Sequence, residues 1–243
     1  YAIWGSWLIS LGAYLGGGLD FTGLQIGSFF ATMGVASLFM PAVMGIIADR
    51  WIPAQKLLGI CHLVSGGFLI AAASQTAYGP LYSCMLLSVM FYMPTIALSN
   101  SVAYNALDLA RLDTVKHFPP IRVWGTVGFI AAMWFVDLTH IGGVQIKLTE
   151  WQLYVSAVLS FLLSVYSFSL PGCPVDRNVK ARSWVDTLGL RAFTLFKEKR
   201  MAIFFVFSML LGAALQITNA FGDSYIQSFG PMPQYADSAI VKH

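Results

Sequence analysis

Residues 80–103 read PLYSCMLLSVMFYMPTIALSNSVA, a run without a single Asp, Glu, Lys or Arg. A helix needs roughly 20 apolar residues to cross a bilayer, and this run is long enough. Lipid satisfies no backbone polar group, so only helices and closed barrels can span it. A barrel strand would alternate apolar and polar residues, and this run does not. It reads as a membrane helix, and the pattern recurs on both sides of it. Spans are expected at about 1–19, 25–47, 55–75, 80–103, 119–138, 151–171 and 201–222. The one long polar stretch, 172–200, falls between the sixth and the seventh.

Composition agrees. The chain has 243 residues, 57% hydrophobic and 10% charged, whereas soluble domains carry about 25% charged residues. A net charge of +3 is too small to argue for nucleic acid. The cysteines Cys61, Cys84 and Cys173 show no CxxC spacing, so neither a disulfide framework nor a zinc site is indicated. Cys61 and Cys84 lie in apolar runs and read as small core residues. There is no Ser/His/Asp set, phosphate-cradling glycine loop or metal cluster, so an enzyme reading has no supporting constellation and no cofactor is expected.

Basic residues sort by side. The loops after the second, fourth and sixth spans hold Arg50, Lys56, Arg111, Lys116, Arg177, Lys180, Arg182, Arg191, Lys197, Lys199 and Arg200; those after the first, third and fifth hold only Lys147. The positive-inside rule then puts the amino terminus and the basic loops in the cytoplasm. The expected organisation is a six-helix bundle over 1–171, a basic cytoplasmic linker over 172–200, and a further helix and loop over 201–243. Two six-helix halves joined by such a linker are a common transporter plan. Tyr1 rather than Met opens the chain, and 238–243 complete no element, so both ends are expected to be cut. Within the linker, 182–197 is open to two readings, an amphipathic helix on the membrane face or a plain solvated segment.

Several residues are candidates for chemistry. Arg122, Thr126 and Phe129 are spaced i, i+4, i+7 and share one helical face, after Pro119 and Pro120, which suit a first helical turn. A guanidinium, a hydroxyl and a ring on one face fit a polar ligand with a flat base. Equally, Arg122 could snorkel to the interface as an anchor. Gln216 and Asn219, spaced i, i+3, could recognise a base edge and sugar hydroxyls or simply hydrogen-bond between helices. Gly12 and Gly16 form a GxxxG packing motif, Pro94 predicts a kink, His62 reads as a packing histidine, and Asp223 as interfacial. Gly45, Asp49 and Arg50 end the second span, where small residues let helices approach and Asp49 can pair with a cation or cap a helix.

Gly45 to Arg50 resembles the G-x-x-x-D-R/K signature of the major facilitator superfamily, although Trp51, Ile52 and Pro53 replace its second half. Further stretches carry a narrower likeness: Trp4-Gly5-Ser6-Trp7, Phe39 to Ala42, Ile60-Cys61-His62, Tyr92 to Thr95, Phe118 to Thr126, Lys199 to Phe205, and Ser208 to Ala213 followed by Leu215 to Asn219, with Ala214 between them departing from the pattern. On these the chain resembles the bacterial nucleoside:H⁺ symporters of that superfamily. The resemblance implies an all-α membrane protein made of the amino-terminal six-helix half plus the first helix of the second half. It implies nucleoside import with a proton across the inner membrane, a missing carboxy-terminal half as partner, and nucleoside contacts at Arg122, Thr126, Phe129, Gln216 and Asn219. A carrier for another polar solute, such as a sugar, and a membrane receptor or scaffold without transport are the alternatives.

The charge asymmetry sets one expectation. In intact cells expressing the whole protein with native cysteines replaced, Lys180→Cys should resist an impermeant thiol reagent. Ready labelling from outside would overturn the orientation.

Overall fold

The computed structural model describes residues 1–175 and 190–229. Short helices α1 (Ala2–Gly5) and α2 (Leu11–Ala13) lead through a π turn, Tyr14–Gly18, into α3 (Gly23–Arg50), α4 (Ala54–Ala73), α5 (Tyr78–Leu109) and α6 (Thr114–Leu138). A hairpin of β1 (His140–Ile141) and β2 (Val144–Gln145) follows, then α7 (Trp151–Ser167), a 3-10 segment at Leu190–Lys197 and α8 (Lys199–Ser228). Helices α3, α4, α5, α6 and α8 are each long and apolar enough to cross a membrane. Helix α7 is apolar but stops at 17 residues, short of the expected 171.

The first expected span is a broken helical run. Ser6 Oγ donates to the Ala2 carbonyl at 2.8 Å, a local bond that competes with regular helix. Gly16, Gly17 and Gly18 favour helix poorly, and the Leu19 amide reaches back five residues to the Tyr14 carbonyl at 3.2 Å. The start of α6 also differs. Asp113 caps it, its carboxylate accepting from the Val115 amide at 2.9 Å, so the helix begins at Thr114 and not at 119. Pro119 and Pro120 therefore sit inside the helix, not in its first turn, and Arg122 lies deeper than expected. Helix α5 runs through Pro94 without interruption. Gln25 and Thr22 form a capping box that starts α3. The hairpin was not anticipated; Gly142 and Gly143 take φ of +61° and +85° in its turn, a geometry that glycine adopts without strain.

Helix α4 lies at the centre of the packing, against α5 on one side and α7 on the other. Serines on α7 recur every fourth residue. Ser156 Oγ donates to the Ile3 carbonyl at 2.8 Å, Ser160 to that of His62 at 3.1 Å, and Ser164 to that of Gly59 at 2.8 Å. On the other side of α4, Ser65 and Ser88 hydroxyls meet at 2.9 Å. A Cβ on Gly59 would lie 3.1 Å from the Ser164 carbonyl oxygen, and one on Gly66 3.1 Å from Ser160 Cβ. Small residues and interhelical hydrogen bonds are the means by which helices adhere in lipid.

One end of the bundle is tied by the Gln55 side-chain oxygen accepting from the Cys173 amide at 3.0 Å, and by Asn105 donating to the Gly172 carbonyl at 3.2 Å. Burial raises the Cys173 thiol pKa, so it stays protonated at neutral pH. At the hairpin end Lys147 pairs with Asp137 at 2.6 Å. Of the basic linker, 176–189, with Arg177, Lys180 and Arg182, lies outside the described residues, as do 230–243 and the side chain of Asp223. The described part of 182–197 is 3-10 rather than α-helical, with Phe196 stacked on Phe205 at 4.7 Å. Helices α6 and α8 turn large apolar side chains outward, among them Trp124, Trp134, Phe204, Phe207 and Leu210, as expected of surfaces that meet lipid or other membrane helices.

Gly5 is the most closely hemmed of the described glycines. A Cβ there would lie 2.3 Å from the Phe129 carbonyl oxygen, and backbone cannot yield as a flexible side chain can. Gly5→Ala is expected to destabilise by about 1–3 kcal/mol, seen as a lowered thermal unfolding midpoint in detergent. Gly45→Ala, whose Cβ would meet nothing within 4 Å, should stay within about 0.5 kcal/mol of wild type.

Candidate functional site

Helix α6 turns the Arg122 face onto α1. The Arg122 guanidinium sits 4.0 Å from the centroid of the Tyr1 ring, a cation–π distance. Gly125 makes room for that ring, since a Cβ there would lie 2.5 Å from Tyr1 Cδ2. Phe129, one turn further on, carries the carbonyl against Gly5. Arg122 and Phe129 are half-buried and Thr126 is exposed. Arg122 is thus turned onto an aromatic ring, where an interfacial anchor would reach for water.

Helix α8 supplies the second group. Gln216 and Asn219 are half-buried. Gln216 lines a cavity of about 800 Å³ with Trp4, Phe30, Met93, Met209 and Phe221. Gly27, Gly34 and Gly212 line it too, and a Cβ on any of them would meet nothing within 4 Å; their missing side chains leave the space open. Gln216 Nε2 is buried and has no hydrogen-bond partner among the described residues. The interhelical bond that a packing amide would form through this donor is absent there.

Helix α1 links the two groups. Tyr1 lies under Arg122, Trp4 lines the cavity with Gln216, and Gly5 touches Phe129. Sequence reasoning missed Tyr1, Trp4 and Tyr92 as members of this region. Trp4 packs on Tyr92 at 6.0 Å, and Tyr92 on His62 at 6.0 Å. His62 packs as expected, but it also lines a second cavity of about 270 Å³ with Tyr1, Tyr92, Thr95 and Ser99. The available signal was aromatic residues with a polar handle inside apolar helices, which need a partner when buried.

The signature residues behave differently from expectation. Met44 and Ala48 are buried in a core cluster with Leu57, Leu58 and Leu98. Gly45 is one residue round the helix from Met44, about 100° away, and a Cβ there would meet open space. Among the described residues, no helix approaches closely at the Gly45 Cβ position. Asp49 is exposed and Arg50 half-buried, and neither makes an ion pair or a side-chain hydrogen bond among the described residues. Arg50 lies in the last turn of α3, where a cation suits the helix dipole.

Comparison with known proteins places this geometry. The family profile described as nucleoside H⁺ symporter matches residues 1–242. The chain belongs to that family. Among its relatives, the xanthosine permease of Escherichia coli (strain K12) is 50% identical over 243 residues, covering 100% of this chain and 57% of the permease. The nucleoside permease NupG of the same organism is 46% identical, with the same coverage. The crystal structure of a mutant of the nucleoside transporter NupG superposes with a TM-score of 0.85 at 46% identity, covering 100% of this chain and 59% of that one. A second NupG crystal structure gives 0.81. The architecture is therefore the expected all-helical, major-facilitator-like one, and the relatives are permeases and not enzymes. The chain spans 57% of the length of the curated relatives it matches.

The cavity gives a direct test. A Cβ on Gly34 would meet nothing within 4 Å among the described residues, so Gly34→Leu is expected to leave thermal stability near wild type and, with the cavity on the substrate path as proposed below, to block transport by the whole protein. Unimpaired transport by a folded Gly34→Leu variant would show that the cavity is not on the substrate path.

Proposed function

We propose that this chain is part of a secondary transporter that imports nucleosides across the bacterial inner membrane with a proton, by alternating access. The observation that carries the reading is the family match over residues 1–242. The arrangement of the site supports it. An apolar, aromatic-lined cavity with few polar groups suits a ligand with a flat base and a hydroxylated sugar. Arg122, Thr126 and Phe129 on α6, with Gln216 and Asn219 on α8, are the proposed contacts; of these, Gln216 lines the cavity, while Arg122 and Phe129 touch α1 through Tyr1 and Gly5. The guanidinium offers donors to ligand oxygens; the amides offer both donors and acceptors. Gly45, Asp49 and Arg50 are the proposed signature at the cytoplasmic end of α3. The amino terminus and the basic loops face the cytoplasm, and further membrane helices, corresponding to the rest of the relatives' length, cover the outward faces of α6 and α8. The proton is the coupling ion and no other cofactor is required.

Uptake of radiolabelled nucleoside by cells expressing the whole protein tests the function: flux competed by uridine but not by lactose supports it, and binding without flux overturns it. Arg122 tests the site. Removing a hydrogen bond to a charged group costs about 1.5–3 kcal/mol, roughly 10- to 150-fold in affinity. Lys keeps the charge and loses the planar fork. Both Arg122→Ala and Arg122→Lys should weaken nucleoside binding by that order in calorimetric titrations while membrane expression persists. Near-normal affinity in the Lys variant would make Arg122 a membrane anchor.

A further inference from the structure

We propose that Trp4 is a substrate-binding residue of this transporter, its indole N–H donating a hydrogen bond to an acceptor atom of the nucleoside. The inference rests on the reading of the cavity beside Gln216 as the substrate site. Trp4 is fixed in place from three sides. Gly5, its neighbour, is pressed against the Phe129 carbonyl so closely that a Cβ would lie 2.3 Å from it. Ile3, on its other side, has its carbonyl held by Ser156 at 2.8 Å. The ring itself rests on Tyr92 at 6.0 Å with the planes 57° apart. These restraints present the indole to the cavity of about 800 Å³, which Gln216 lines from α8.

The unpaired donors give the argument its direction. Trp4 Nε1 and Gln216 Nε2 are both buried, and neither has a hydrogen-bond partner among the described residues. Indole is a donor only, so Trp4 needs an acceptor, and a buried donor left without one is costly. Most of the remaining wall is apolar or lacks a side chain: Phe30, Met93, Phe221, Gly27, Gly34. Trp4 and Gln216, each carrying an unpaired donor, both line one cavity whose remaining wall is apolar apart from Ser37, the complement of a ligand that brings carbonyl, ring-nitrogen or hydroxyl acceptors. A preformed donor also discriminates, because a ligand without the matching acceptor leaves the N–H unpaired again.

The test is calorimetric titration of uridine into the purified whole protein as wild type, Trp4→Phe and Trp4→benzothienylalanine. The last keeps the shape of the indole and replaces its N–H by sulfur. Both variants should bind uridine about 3- to 10-fold more weakly, with thermal stability retained. If the indole only packs on Tyr92, the benzothienyl variant binds like wild type, and that result overturns the proposal. Should Trp4→Phe fail to fold, the benzothienyl variant decides alone. Wild-type protein that binds no uridine or other nucleoside would instead defeat the reading of the site, and the role of Trp4 would fall with it.

Discussion

The fold depends on contacts between small residues and carbonyls in a medium that offers helices no hydrophobic reason to meet. Lipid tails are as apolar as leucine, so association must come from close packing and hydrogen bonds. Helix α7 answers with hydroxyls of Ser156, Ser160 and Ser164 laid along one face, each donating to a carbonyl of α1 or α4. Helix α4 answers with Gly59 and Gly66, where any side chain would press on α7. Each of these bonds goes to a carbonyl and not to another side chain, so it fixes the register of one helix against the next.

The same clasp positions the irregular start of the chain. The single helical turn of α1 places Tyr1, Trp4 and Gly5, spaced i, i+3 and i+4, toward one side, Tyr1 and Gly5 against α6 and Trp4 against α5. The run is broken only after that turn, where Ser6 bonds the Ala2 carbonyl and Gly16 to Gly18 favour helix poorly. Ser156 and the Gly5–Phe129 contact then hold it. Tyr1 meets Arg122, Trp4 meets Tyr92, and α1 becomes the wall shared by the two candidate groups.

Polar groups in this region are placed at a cost. Tyr1 Oη, Trp4 Nε1, His62 Nδ1 and Gln216 Nε2 are buried without partners among the described residues. Buried side-chain polar groups elsewhere among the described residues are satisfied, as with Gln152, which accepts from Ser10 at 2.8 Å and donates to the Lys147 carbonyl at 3.0 Å. That contrast supports the proposed ligand contacts at Trp4 and Gln216, which line the larger cavity. Unsatisfied groups gathered around cavities are where binding energy can be recovered when substrate enters.

Sequence by itself determined the membrane class, the approximate places of the helices and the asymmetry of basic residues between alternate loops, and through the family resemblance it offered Arg122, Thr126, Phe129, Gln216 and Asn219 as candidate contacts. Long uncharged runs and the spacing of residues on a helix are local properties, and the cost of exposing backbone to lipid makes them decisive. The tertiary structure decided the rest. It broke the first span, moved Pro119 and Pro120 inside α6, left open space among the described residues where a Gly45 Cβ would lie, and set Tyr1 against Arg122 and Trp4 against Tyr92. The first two follow from local bonds of Ser6 and Asp113; the others depend on which carbonyl or ring lies across a helix interface. That pairing is made between residues far apart in the chain, as Ile3 and Ser156 are, and no local pattern encodes it.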